Sequence, residues 1–133
     1  MFEFDYANEF IVIRYLPVSK GLYVYWVPGN QCMSMLDFYR AIEVILNTII
    51  VTQPSKVLIN AIDYSFPILP EKTTRLIRYT LSSSPLKQYG LIKSNQFYGQ
   101  FAIKLLLKRL ANAPIDLILF DQPMEGIRWV LSK

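Results

Sequence analysis

The sequence predicts an α/β fold: a mixed sheet in which an N-terminal antiparallel meander is followed by parallel β-α units, about six strands and four helices in all. Three observations carry this reading. The first 27 residues hold three short runs, alternating or continuously apolar, separated by turn-forming residues. The run Lys56-Val57-Leu58-Ile59-Asn60-Ala61-Ile62 lies between Gln53-Pro54-Ser55 and Asp63-Tyr64-Ser65-Phe66-Pro67, and so short an apolar run suits a strand buried on both faces. Helical periodicities flank it on both sides and then alternate with two further strand-like runs. Right-handed crossovers therefore make the later part of the sheet parallel, with helices covering both faces.

Taken in order, Phe2-Glu3-Phe4-Asp5-Tyr6 alternates apolar and acidic side chains, as an edge strand with one wet face does, and Ala7-Asn8-Glu9 reads as a turn. Phe10 to Leu16 is the second strand, and Pro17 to Gly21 turns the chain into the third, Leu22 to Val27. That strand is aromatic and apolar on both faces, so it belongs inside the sheet. Ser34 and Asp37 form a capping box for a helix ending near Thr52, with Met35, Phe38, Tyr39, Ile42, Ile45, Leu46 and Ile49 on its apolar stripe. After the central strand, Pro70-Glu71 suits the first turn of a second helix with the stripe Leu76, Ile77, Tyr79, Thr80 and Leu81. Lys72, Arg75 and Arg78 share another face, and Ser84-Pro85 stops the helix. Tyr89 to Ser94 is a strand. Asn95 is placed to cap a helix from Gln96 to about Ala111, whose stripe is Tyr98, Phe101, Ala102, Leu105, Leu106 and Leu110, widened by Ile103 and Leu107. Ile115 to Phe120 is the last strand, and Asp121 with Pro123 opens a closing helix.

A chain of 133 residues reads as one domain able to build a core without staples. With no histidine and the single Cys32, the usual zinc sites, histidine-dependent catalysis and an internal disulfide are all excluded, and no cofactor is expected. A reducing cytoplasm fits. The acidic start Met1 to Tyr6 does not resemble a signal peptide, and Ala41 to Thr52, broken by Glu43, Asn47 and Thr48, falls short of a membrane span. Charge is uneven: residues 1–66 carry four bases and six acids, whereas residues 67–133 carry ten bases and four acids. The surplus favours an acidic partner, although no run of adjacent bases exceeds Lys108-Arg109.

The element order, the aromatic strand Tyr23-Val24-Tyr25-Trp26, the strand Val57 to Ile62 and the closing Glu125-Gly126-Ile127-Arg128-Trp129-Val130-Leu131 together resemble the STAS-like, SpoIIAA-like small α/β proteins of bacteria. The likeness covers nearly the whole chain. It implies a SpoIIAA-like mixed sheet and a non-enzymatic regulatory module that acts through a protein partner or through self-association. True members of the antagonist branch carry a phosphorylatable serine in an Asp-Ser turn before the helix that follows the central strand. Here the turn reads Asp63-Tyr64-Ser65-Phe66-Pro67, the motif is not matched, and the phosphorylation switch is not carried over. The fold class is also similar to lipid-binding SEC14-type modules, which makes a carrier of a small apolar ligand the alternative.

In open α/β sheets, partners meet the loops outside the carboxyl ends of the parallel strands. That edge holds Asp63, Tyr64 and Ser65, then Ser94 with Asn95, then Asp121, and these six are the candidate partner-binding residues. Asn95 and Asp121 also read as plain helix caps. Asp63 with Asp121 is a carboxylate pair only if the fold brings the two together, and Pro28-Gly29-Asn30 and Tyr98-Gly99 lack the pattern of a nucleotide cradle. Cys32 reads as a partly buried small side chain. Lys72, Arg75, Arg78, Lys104, Lys108 and Arg109 are spread over two helices without a stacking platform, so they read as solvated faces rather than a nucleic-acid site. Trp26 and Trp129 read as core or interface anchors.

Overall fold

The computed structural model describes residues 5–84 and 88–133, so the expected strand residues Phe2 to Phe4 and the stop at Pro85 lie outside the described residues. Strand β1 (Asp5–Ala7) pairs antiparallel with β2 (Ile11–Leu16), which pairs antiparallel with β3 (Gly21–Trp26). From β3 the sheet is parallel through β4 (Lys56–Asn60), β5 (Gln88–Ile92) and β6 (Asp116–Phe120). Helices α1 (Met35–Thr52), α2 (Glu71–Ser83) and α3 (Phe97–Leu110) are the crossovers, and α4 (Pro123–Leu131) closes the chain. The spatial order equals the sequence order, β1-β2-β3-β4-β5-β6. β3 is interior, as its two apolar faces require.

A sheet whose strand order never reverses puts all its right-handed crossovers on one face. Helices α1, α2 and α3 therefore form a single layer, α2 packing on α1 and α3, over Leu22, Val24 and Trp26 of β3 and Val57 of β4. Among the described residues the opposite face is covered by α4 alone, which crosses back over β5, β4 and β3 and buries Leu58, Ile92, Phe120 and Val130. Glycines let it approach. A Cβ on Gly21 would stand 2.7 Å from the carbonyl oxygen of Val130, and one on Gly90 would stand 2.7 Å from the Trp129 ring. Lys56 ties down the far end of α4, its Nζ donating to the carbonyl of Trp129 at 2.9 Å and of Ser132 at 2.6 Å, as a cation suits the last turn of a helix.

The capping box forms as read: Asp37 N donates to Ser34 Oγ at 3.0 Å, and Ser34 N to Asp37 Oδ2 at 3.0 Å. The other two crossover helices differ from expectation in which face they bury. On α2, Leu76 and Tyr79 are exposed while Thr73, Thr74, Thr80 and Leu81 are buried, so its seat is made largely of threonine. On α3, Tyr98 and Phe101 are exposed and the buried set is Gly99, Ala102, Ile103 and Leu110. The cause is Gly99: a Cβ there would overlap the carbonyl oxygen of Tyr64, so the first turn of α3 docks through its glycine, and the helix is rotated away from its most hydrophobic stripe.

Candidate functional site

The carboxyl ends of β3, β4 and β5 are stitched together by short polar side chains. Gly29, with φ 98°, directs the chain into a short 3-10 turn, Asn30–Cys32. Asn30 is fully buried there. Its Nδ2 donates to the carbonyls of Val27 at 2.9 Å and Asp63 at 2.8 Å, while its Oδ1 accepts from Ser65 N at 2.7 Å. One amide thus satisfies backbone groups of both loops. Its removal would leave two carbonyls and an N–H without partners, a cost of about 1–3 kcal/mol for each group that water does not reach.

The six residues read from the sequence divide by role. Asp63 Oδ2 accepts from the phenol of Tyr25 at 2.5 Å, linking the β4–α2 loop to β3. Tyr64 is buried, with its ring edge-on to Trp26 at 4.9 Å. Ser65 donates to Gln31 Oε1 at 2.9 Å. Ser94 is buried and donates to the carbonyl of Tyr64 at 2.7 Å, and Asn95 N donates to the carbonyl of Ile62 at 3.0 Å. Asp63, Tyr64, Ser65, Ser94 and Asn95 therefore form one assembly, with Tyr64 and Ser94 facing inward as its fasteners. Asp121 stands apart, exposed beyond β6 and paired with Lys93 at 3.1 Å. Asp63 and Asp121 follow β4 and β6, with β5 between them, and each is engaged elsewhere, Asp63 with Tyr25 and Asp121 with Lys93.

Two of these residues do not cap helices. Gln96 is the N-cap residue of α3 and Gln122 that of α4, neither through its side chain; Asn95 instead accepts from Gln96 Nε2 at 2.7 Å. Ser94 Oγ accepts from Gln96 N at 2.9 Å, which fixes the approach to α3 without capping it. Cys32, expected to be partly buried, is exposed. Trp26 is a core anchor as read, and Trp129 covers Gly90 beside Phe120 at 5.7 Å.

Beneath this assembly lies an apolar cavity of about 150 Å³ between the sheet and α1–α3. Trp26 and Tyr64 line its end near the loops, Ile45 and Ile77 its helix side, and Val57 and Leu91 its sheet side. Tyr64 and Tyr89 are its two phenols, and burial pushes the pKa of both upward. A second, polar crevice lies between α2 and α3, lined by Glu71, Thr74, Arg75, Arg78 and Arg109. In the sequence these bases are spread over two helices, and nothing in their spacing signals that α2 and α3 lie side by side. No protein-family model, curated protein or solved structure matches the chain.

The Tyr25–Asp63 bond has a pH signature. Its hydrogen bond to the Asp63 carboxylate, together with burial and the carboxylate charge, pushes the Tyr25 phenol up to about 12. The folded-state value is raised, so this contribution to stability is fully present below the ordinary phenol value near 10 and is lost as pH rises through about 12. NMR titration of the tyrosine Cζ resonances should show Tyr25 ionising well after the exposed tyrosines, and Asp63→Asn should return it toward them. Titration of Tyr25 with the others in the unsubstituted protein would show that the bond does not hold the loop.

Proposed function

We propose that this protein is a non-enzymatic binding module that takes a small apolar ligand into the chamber between the sheet and α1–α3. The chamber carries the reading. Protein interiors leave few voids larger than a water, and an apolar void of about 150 Å³ stays dry while accepting a guest of benzene size. Such a guest restores dispersion contacts that an empty wall lacks.

A second reading, favoured by a separate observation, is a STAS-like contact module that works through the same end of the sheet. Phe97, Tyr98 and Phe101 are 78%, 57% and 61% exposed and follow directly on Ser94 and Asn95. Exposed aromatics grouped in this way suit a protein partner or a second copy of the chain. Ligand in the chamber and partner at the edge are compatible, since Tyr64 belongs to both.

For the ligand reading, saturating benzene should raise the thermal midpoint by about 4 °C, as expected for a guest adding roughly 1 kcal/mol to a domain of this size. Ala102→Leu, which fills the chamber from α3, should keep the fold and abolish the shift. No shift in the unsubstituted protein, or the same shift in Ala102→Leu, would overturn the reading. For the contact reading, sedimentation velocity should show concentration-dependent association that Phe97→Ser with Phe101→Ser abolishes. Identical profiles for the two proteins would exclude self-association through these rings.

A further inference from the structure

We propose that the crevice between α2 and α3 binds an oxyanion, a carboxylate or a phosphate, and that this group is the head of an amphiphile whose apolar part occupies the chamber. The second clause rests on the ligand reading above; the crevice itself does not.

Three arginines, Arg75 and Arg78 from α2 and Arg109 from α3, line a space of about 150 Å³ together with Thr74 and one acidic residue, Glu71. Among the described residues none of the three arginines forms an ion pair; the pair formed is Lys93–Asp121. Like charges gathered on one crevice repel, and an anion between them relieves that repulsion. Arginine suits the task because its planar fork of donors matches the geometry of carboxylate and phosphate. Arg109 is already held in place: its Nη1 donates to the carbonyl of Leu69 at 2.8 Å and to Thr74 Oγ1 at 3.0 Å. Those two bonds use two of its five N–H groups, so three donors are left for a ligand. The Thr74 hydroxyl, an acceptor from Arg109, has its own hydrogen to donate.

The crevice and the chamber are two sides of one seam. Leu69 lines the chamber with its side chain while Arg109 holds its carbonyl. Ile77 lines the chamber and its neighbour Arg78 the crevice; on α3, Leu106, Leu107 and Leu110 line the chamber and Arg109 the crevice. A ligand lying through the seam would place hydrocarbon on the inner side and charge on the outer. On its α2 side the seam is closed largely by polar residues. The face that α2 buries is largely threonine, with little apolar area to hold it, and Thr73 Oγ1 is buried without a hydrogen-bond partner. Such a hydroxyl favours the rehydrated, displaced helix. Opening at α2 gives the ligand its path.

Calorimetric titration with octanoate, 1-octanol and inorganic phosphate separates head from tail. Octanoate should bind about tenfold more tightly than octanol, the preference a charge-assisted hydrogen bond supplies. Arg75→Gln with Arg78→Gln, both exposed positions, should bring the two ligands to parity without weakening octanol. Ala102→Leu should weaken both. Octanol binding with no octanoate preference, or a preference that survives the double substitution, overturns the head-group site and leaves the ligand reading standing. Loss of octanol binding in the unsubstituted protein overturns the ligand reading instead. Phosphate that binds as tightly as octanoate and is indifferent to Ala102→Leu makes the crevice a free-anion site and overturns the amphiphile.

Discussion

The handedness of the β-α-β crossover is the constraint on which the rest of this molecule depends. Because the strand order runs β1 to β6 without reversal, each right-handed crossover lands on the same face, and three helices must share it. The other face receives one helix, and the two faces are packed differently as a result. Under α4, Gly21, Gly90 and Gly126 remove the side chains that would hold helix and sheet apart; a Cβ on Gly126 would stand 2.9 Å from Ile92 Cγ1. Under α1–α3 the layer is wider than its apolar side chains fill, and the chamber is what is left.

That chamber is closed at the carboxyl end of the sheet by polar groups that hold backbone to backbone. Asn30 and Ser94 each reach across thirty or more residues of sequence to a carbonyl of the β4–α2 loop, and Asp63 of that loop reaches back to Tyr25 of β3. Asn30 and Ser94 are buried, and each would leave a backbone carbonyl unpaired if it let go, which makes the roof rigid. The wall at α2 has the opposite character. It is a helix with exposed Leu76 and Tyr79, buried threonines and no side-chain cap at its start. For the proposed ligand, a stiff roof and a loosely seated wall make α2 the point of entry.

Much of the fold was legible in the sequence because it depends on local signals. The capping box at Ser34 and Asp37, the apolar run at Lys56–Asn60 and the alternation of periods each specify an element from its own residues. The faces of α2 and α3 were not legible. A hydrophobic stripe ranks Tyr98 and Phe101 above Gly99, yet the packing is decided by the one position that leaves room for the Tyr64 carbonyl. The site was half legible: strand ends pointed to Asp63, Tyr64, Ser65, Ser94 and Asn95, while the role of Asn30 and the Tyr25 bond needed the third dimension. The convergence of Arg75, Arg78 and Arg109 was illegible for the same reason, since only the layering of the helices brings them to one crevice.

The most direct test of this account is a nuclear Overhauser measurement between the terminal methyl of bound octanoate and the methyl groups of isotope-labelled protein. The account predicts contacts to Ile45, Ile77 and Leu106, side chains of the chamber wall. Contacts confined to the exposed rings of Phe97, Tyr98 and Phe101, with none inside the chamber, would contradict it.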